Sequence, residues 1–169
     1  MKKIKVKIFN DSNNPNPQYA KINDTGCDAQ ASMTHTKANY EAGLGKNWIF
    51  DDAAKAAIIK PGGRALIGTG IFCEIPDGYG IAVRPRSGTA LKKGITVCNT
   101  PGTVDAGYRN EVGIILINHS SEDFVVSEGD KVAQFVLEEV TQIEWNPVKG
   151  KKDLSSSDRG QGGFGHTGS

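Results

Sequence analysis

This 169-residue chain is poor in the features that mark several protein classes. Its longest apolar run is "VGIILI", Val112 to Ile117. A membrane-spanning helix needs about 20 such residues, so no transmembrane helix is expected. Cysteine is scarce. Cys27, Cys73 and Cys98 are odd in number and widely spaced. That pattern fits neither a disulfide framework nor a zinc site, and it suits reduced thiols packed as small apolar residues. Charge of one sign is not in excess: the formal net charge is +1. A duplex-binding surface would need a clear surplus of Lys and Arg, so nucleic acid is not expected as a partner. The N-terminus "MKKIKVKIFN" has no continuous apolar stretch of the signal-peptide type. It alternates Lys3, Lys5 and Lys7 with Ile4, Val6 and Ile8, which predicts a strand with one wet face. These absences together lead us to expect a cytoplasmic protein.

Glycine, by contrast, is abundant, at 21 residues. Frequent glycine between short apolar runs predicts β structure with many turns. Strands are expected at Ile4–Phe9, Arg64–Phe72, Tyr79–Arg84, Ile95–Cys98, Glu111–Asn118, Phe124–Val126 and Lys131–Glu144. "PGG" at 61–63, "PDG" at 76–78 and "EGD" at 128–130 separate them, a spacing that suits an all-β sandwich or barrel. "DDAAKAAIIK", Asp51 to Lys60, reads as a short helix ended by Pro61. The last twenty residues carry almost no apolar side chain besides Leu154 and Phe164, so they form an arm that orders only when something holds it.

Four stretches carry candidate chemistry. In "RPRSGTALKKG", Arg84 to Gly94, a strand runs into a helical turn. Arg86, Ser87 and Gly88 there suit an anion, and the same stretch reads equally as a capped surface turn. "NTPGTVDAGYRNE", Asn99 to Glu111, offers Asp105 as a general base and Tyr108 as a flat surface for a sugar or base. The plain alternative is an Asx-turn aspartate and a half-buried tyrosine. Asp28 in "TGCDAQAS" could hold a metal-bound water, or sit in an ordinary turn. Gln134 in "GDKVAQF" could reach a phosphate from a strand. His35, His119 and His166 show no metal-ligand spacing. Neither GxSxG nor GxxxxGK[ST] occurs.

The order of these stretches is more specific than any one of them. "TGCD", "PRSG", "TVDAGYR", "KVAQ" and the terminal "RGQGGFGHTG" resemble the five ordered motifs of the trimeric dUTPase family, from Thr25 to Gly168. The resemblance implies a jelly-roll-like β-barrel assembled as a homotrimer with a swapped C-terminal arm. Residues 1–149 would form the barrel, with an insertion at about 33–59, and residues 150–169 the arm. It implies hydrolysis of dUTP to dUMP and pyrophosphate with Mg²⁺, which keeps uracil out of DNA and supplies dUMP for dTMP synthesis. Asp105 would activate the water that attacks the α-phosphate. Tyr108 would lie under the deoxyribose, and Asn99 would read the uracil edge. Arg86, Ser87, Gly88 and Gln134 would hold phosphates, and Asp28 would orient a water on the metal. Arg159, Phe164, Gly165, His166 and Thr167 would close over the substrate. The glycine-rich run can then stand last in the chain, because it acts as a lid and not as a loop before a helix.

The chain departs from the family pattern at Thr25, Cys27, Ala29 and Asn110, and in the length of the 33–59 segment. That segment is a benign surface insertion or a site for a protein partner. A dCTP deaminase shares a "PRS" stretch, but "GYR" and the glycine-rich end disfavour it. A regulatory protein of the same fold is the non-enzyme alternative.

Overall fold

A computed structural model describes residues 2–157 and 160. Among the described residues the regular elements are mostly strands, as expected. β1 (Lys7–Asn10) pairs antiparallel with β5 (Ile71–Glu74) in a two-stranded ribbon. A second ladder centres on the long β4 (Ala56–Ile67). On one side of it runs β3 (Gly45–Asp51); on the other lie β10 (Phe124–Ser127) and then β9 (Ile114–Asn118). β9 also pairs with β7 (Ile95–Val97). The third ladder runs β2 (Cys27–Gln30), β11 (Lys131–Glu139), β6 (Tyr79–Arg84), β8 (Gly102–Val104). Among the described residues the ladders remain separate sheets and do not join into one closed hydrogen-bonded barrel.

Alternation explains which strands these are. β9 buries Ile114, Leu116 and Asn118 and leaves Ile115 and Ile117 partly covered. Ile59, Ile67, Val97 and Val126 meet them from neighbouring strands. From the third ladder, Ala29, Val83, Val104, Ala133 and Phe135 complete the core. Burying a side chain of this size contributes about 1.5–3 kcal/mol.

The helix expected over Asp51–Lys60 is not there. Asp51 ends β3, and its Oδ1 accepts the N–H groups of Ala53 and Ala54 at 2.9 and 3.0 Å. This Asx turn, with Lys55 at φ 49°, reverses the chain before a helix can propagate. Ala56 to Ile59 then pair on both edges, and β pairing overrides the helical preference of alanine. Pro61 lies within β4, where the chain bends at Gly62 (φ 70°), and does not terminate a helix. The helix lies earlier instead, at α1 (Met33–Glu41). Its first N–H is held by Glu128 Oε2 at 2.6 Å, and it buries only Met33 and Thr36. So narrow an apolar stripe gives little periodicity to read. The strand expected over Arg64–Phe72 is broken in two at Gly68–Gly70, with Gly70 at φ 67°. The strand expected to reach Glu144 ends at Glu139.

One buried polar group fastens three segments. Asn118 is fully buried. Its amide donates to the carbonyls of Ile59 (2.9 Å) and Glu122 (2.7 Å). Its Oδ1 accepts the Ser120 N–H and hydroxyl at 2.9 and 2.8 Å. Asn118→Leu fills the space but orphans these partners. We expect a loss of about 2–4 kcal/mol in unfolding free energy, measured by urea denaturation. A loss below about 0.5 kcal/mol would contradict this account of the β4–β9–β10 junction.

Candidate active site

Five of the expected site residues converge at one end of the third ladder. β11 pairs Gln134 with Asp28 of β2 on one side and with Arg84 of β6 on the other. β6 then ends, and Pro85 and Arg86 lead into α2 (Ser87–Lys93), whose C-cap is Gly94 at φ 65°. The result is a polar cavity of about 500 Å³ lined by Asp28, Arg86, Ser87, Gly88, Lys92 and Gln134, among others. The first amides of α2 have no side-chain cap. Gly26 permits the close packing here, since a Cβ would come 2.8 Å from Gln134 Oε1.

Electrostatics fix the cavity's central cation. Asp28 Oδ1 lies 3.0 Å from Arg86 Nε, and its Oδ2 lies 2.8 Å from Lys131 Nζ. A second Arg86 nitrogen donates to the Lys131 carbonyl at 3.2 Å. Arg86 is thus held with part of its guanidinium engaged behind it. Lys131 was missing from the sequence reading for a physical reason. In a regular strand, residues 131 and 134 face opposite ways. A bulge between Lys131 and Ala133 turns Lys131 onto the Asp28 side.

Asn99 and Tyr108 meet in a second, narrow cavity of about 160 Å³, floored by Val83, Val97 and Ile115. β7 and β8 belong to different sheets, so the turn between them crosses the sandwich and carries Asn99 across its mouth. The Cys98 N–H holds that turn to the Ile115 carbonyl at 2.7 Å. A tight turn joins Tyr108 to Asp105, with the Tyr108 N–H 3.0 Å from the Asp105 carbonyl. The Tyr108 hydroxyl donates to the Glu111 carbonyl at 2.8 Å. Asp105 itself is exposed on an open groove of about 950 Å³ that includes Tyr79, Pro101, Thr103 and Glu138.

The two groups lie at opposite ends of β6. Its register with β8 sets Ile81 against Val104, so Asp105 falls beside Gly80. Arg86 is six residues further along an extended backbone, about 20 Å away at the usual strand rise. Asp28, Arg86, Ser87, Gly88 and Gln134 are brought together, as are Asn99 and Tyr108. Asp105 and Arg86 are not. Arg159, Phe164, Gly165, His166 and Thr167 lie outside the described residues.

Among the described residues, no group of three or more His, Cys, Asp and Glu side chains could cage a metal ion. Asp28, with two cations already against it, is no stand-alone metal ligand. This donor set fits an Mg²⁺ that arrives on phosphate oxygens and keeps most of its waters.

A cationic region and a narrow one lined by valines, Asn99 and Tyr108 suit the class of proteins that bind anionic, ring-bearing ligands. Comparison with known proteins narrows the class. The dUTPase family model matches residues 30–168. A deoxyuridine 5'-triphosphate nucleotidohydrolase of Clostridium tetani is 47% identical over 152 residues, covering 90% of this chain and 88% of that protein. In fold, the chain is similar to the dUTPase of Staphylococcus bacteriophage 80alpha solved with dUpNHpp. The TM-score is 0.71 at 20% identity, over 98% of this chain and 99% of that one. It is also similar to the dUTPase of phage phi11 of S. aureus, a structure described as coordinating a structural Mg(II) ion. There the TM-score is 0.67 at 20% identity, over 88% and 99% of the two chains. The chain belongs to the dUTPase family.

Two of the three thiols flank site residues, and their surroundings separate them. Burial raises the pKa of Cys27, helped by the neighbouring Asp28 charge. Burial also raises that of Cys73, with Arg109 opposing. Cys98, beside Asn99, is exposed. A raised thiol pKa leaves less thiolate at a given pH, hence slower alkylation. Iodoacetamide at mildly alkaline pH should label native protein at Cys98 first, then more slowly at the half-buried Cys27, and slowest at the buried Cys73, as read by peptide mass spectrometry. Equal labelling of all three would contradict the burial described.

Proposed function

We propose that this chain is a dUTP diphosphatase, hydrolysing dUTP to dUMP and pyrophosphate, with Asp105 activating the attacking water. One observation carries the reading. The third ladder bears a cationic cavity beside Arg86 and, against Val83 and its β8 partners, a narrow cavity, chemistry suited to the two halves of a nucleoside triphosphate.

The narrow cavity takes the nucleoside. Asn99 and the backbone of its turn read the uracil edge, while the Tyr108 ring lies against the deoxyribose and leaves no room for a 2′-hydroxyl. Once the base covers it, a polar edge of this kind rejects a base whose donors and acceptors are reversed, because its own groups would be left unpaired. Arg86, Ser87, Gly88 and Gln134 hold the phosphate chain, with Asp28 fixing Arg86 from behind. When bound, Mg²⁺ would supply charge neutralisation on the phosphate oxygens, and Asp28 would orient one of its waters. Asp105 takes a proton from water as the new P–O bond forms at the α-phosphorus. The bridging bond to the β-phosphate breaks, and pyrophosphate leaves with the electron pair. Asp105 then returns the proton to solvent.

About 20 Å of strand separates Asp105 from Arg86, more than the two anhydride bridges between the α- and γ-phosphorus atoms can span. A complete site therefore draws Asp105 from one copy and the phosphate residues from another. A closed homotrimer meets that need. Residues 1–149 are its folded β domain, with an insertion at about 33–59. Residues 150–169 are the arm that brings Arg159, Phe164, Gly165, His166 and Thr167 onto a neighbour's substrate and excludes bulk water. The product supplies dUMP for dTMP synthesis, and removal of dUTP keeps uracil out of DNA. Three free thiols suit a reducing, cytoplasmic setting.

The test is pyrophosphate release with Mg²⁺ and each triphosphate in turn. We expect turnover of dUTP, with UTP, dTTP and dCTP lower in kcat/KM by at least about two orders of magnitude. Asp105→Asn should lower kcat by about 10²–10⁴ while a non-hydrolysable dUTP analogue still binds. Comparable turnover of dUTP and dCTP would overturn the pocket, and a fully active Asp105→Asn would remove Asp105 from the mechanism.

A further inference from the structure

Tyr108 does not hold itself in place. Its hydroxyl is tied to the carbonyl of Glu111, three residues on. The Glu111 carboxylate is in turn anchored from two directions. Its Oε1 accepts the N–H groups of Thr69 (2.7 Å) and Gly70 (2.8 Å) at the turn between β4 and β5. Its Oε2 lies 3.3 Å from Nδ1 of His35. His35 belongs to α1, inside the 33–59 segment, and neither Asp105 nor Tyr108 is near it in sequence.

His35 is itself seated between elements. Its Nε2 lies 3.4 Å from the Asp11 carbonyl and 3.7 Å from Asp11 Oδ2. Asp11 and Glu111 are thus the charged groups against its two nitrogens. The ring meets Phe72 edge-on, with centroids 6.4 Å apart. The turn below is shaped to admit both side chains. A Cβ on Gly68 would run into His35 and come 2.9 Å from Glu111 Oε1. A Cβ on Gly70 would come 3.2 Å from His35 Nε2. The same turn grips the next residue: Thr69 Oγ1 donates to the Val112 carbonyl at 2.6 Å, and the Val112 N–H donates to the Ile71 carbonyl at 2.8 Å.

We propose that His35 and Glu111 are positioning residues that set the angle of the Tyr108 ring, and so the discrimination between deoxyribose and ribose. The proposal rests on the reading of Tyr108 as the surface under the sugar. His35 fixes the Glu111 carboxylate, the carboxylate fixes the Glu111 backbone, and that backbone carbonyl fixes the hydroxyl of Tyr108. The 33–59 segment is then a brace for the nucleoside cavity. Losing one link frees the 105–111 turn to rock. A rocking ring excludes a 2′-hydroxyl less well. The first property to fall is selectivity, ahead of kcat.

A double-mutant cycle on the full-length protein tests this. His35→Phe keeps a ring against Phe72 and removes both nitrogens. Tyr108→Phe keeps the surface and removes the hydroxyl. Each alone should lower the ratio of kcat/KM for dUTP over UTP by about three- to tenfold, the worth of one hydrogen bond, mainly through a lower KM for UTP. Together they should lower it no further than either alone, because both cut the same chain of contacts. Additive losses would overturn the proposal. So would an unchanged ratio in His35→Phe accompanied only by a lower melting temperature, the result of a merely structural histidine. His35→Ala serves in the same cycle if the phenylalanine variant does not fold. Wild-type protein without dUTP turnover would overturn the proposed function itself, whereas additivity in an active enzyme overturns only the brace.

Discussion

The pairing of β6 between β11 and β8 governs everything else about the site. β6 is held on both edges, and Ala82 and Val83 are buried in its middle. Such a strand cannot slip without turning its core face outward. Its register therefore fixes two points in space. One end delivers Arg86 and α2 to Asp28 and Gln134. The other sets the turn carrying Asp105 beside Gly80. A rigid strand between them makes the separation a property of the fold, not of a loop that closes. The phosphate cradle and the proposed base then sit about 20 Å apart in one chain, which is why we propose that an oligomer completes the site.

Charge is managed locally at each cavity. The cationic cavity would repel itself without a ligand, and Asp28 limits that by pairing with both Arg86 and Lys131. An exposed ion pair contributes little to stability. Here Asp28 is mostly covered, so the pairs also orient a guanidinium that would otherwise sample many rotamers. At the narrow cavity hydrogen bonding does the equivalent work. The Asn99 turn is pinned to Ile115, and the Tyr108 turn is pinned to Glu111. Both cavities hold their functional groups with backbone contacts that exist before any substrate arrives, the condition for low reorganisation cost on binding.

Much of this was legible from residues alone. Tyr79–Arg84 is a short apolar run bounded by "PDG" and a proline, and its strand lies where the sequence set it. The turn into a short helix at Ser87 followed from "RPRSGTALKKG". The all-β class followed from glycine-punctuated apolar runs. Failures occurred where tertiary contacts outweigh local preference. Ala53, Ala54, Ala56 and Ala57 read as helix until an Asx turn and two neighbouring strands claim them. α1 is nearly patternless because it buries only two side chains. Lys131 reaches Asp28 only through a bulge, and no period in the sequence encodes a bulge. The tie from His35 to Glu111 links residues 76 positions apart and needed coordinates to be seen.

The central claim is that one copy's Asp105 completes a site whose closing arm comes from another. Two inactive variants test it: Asp105→Asn with an intact arm, and a chain ending at Lys152 with Asp105 intact. Co-expressed in equal amounts, they form mixed trimers in which some sites combine Asp105 from a truncated chain with an arm from the other. Random assembly makes about a quarter of sites complete, so the account predicts about a quarter of wild-type dUTP turnover from the mixture. Activity no higher than that of the two variants assayed separately, in trimers verified to contain both chains, would contradict it.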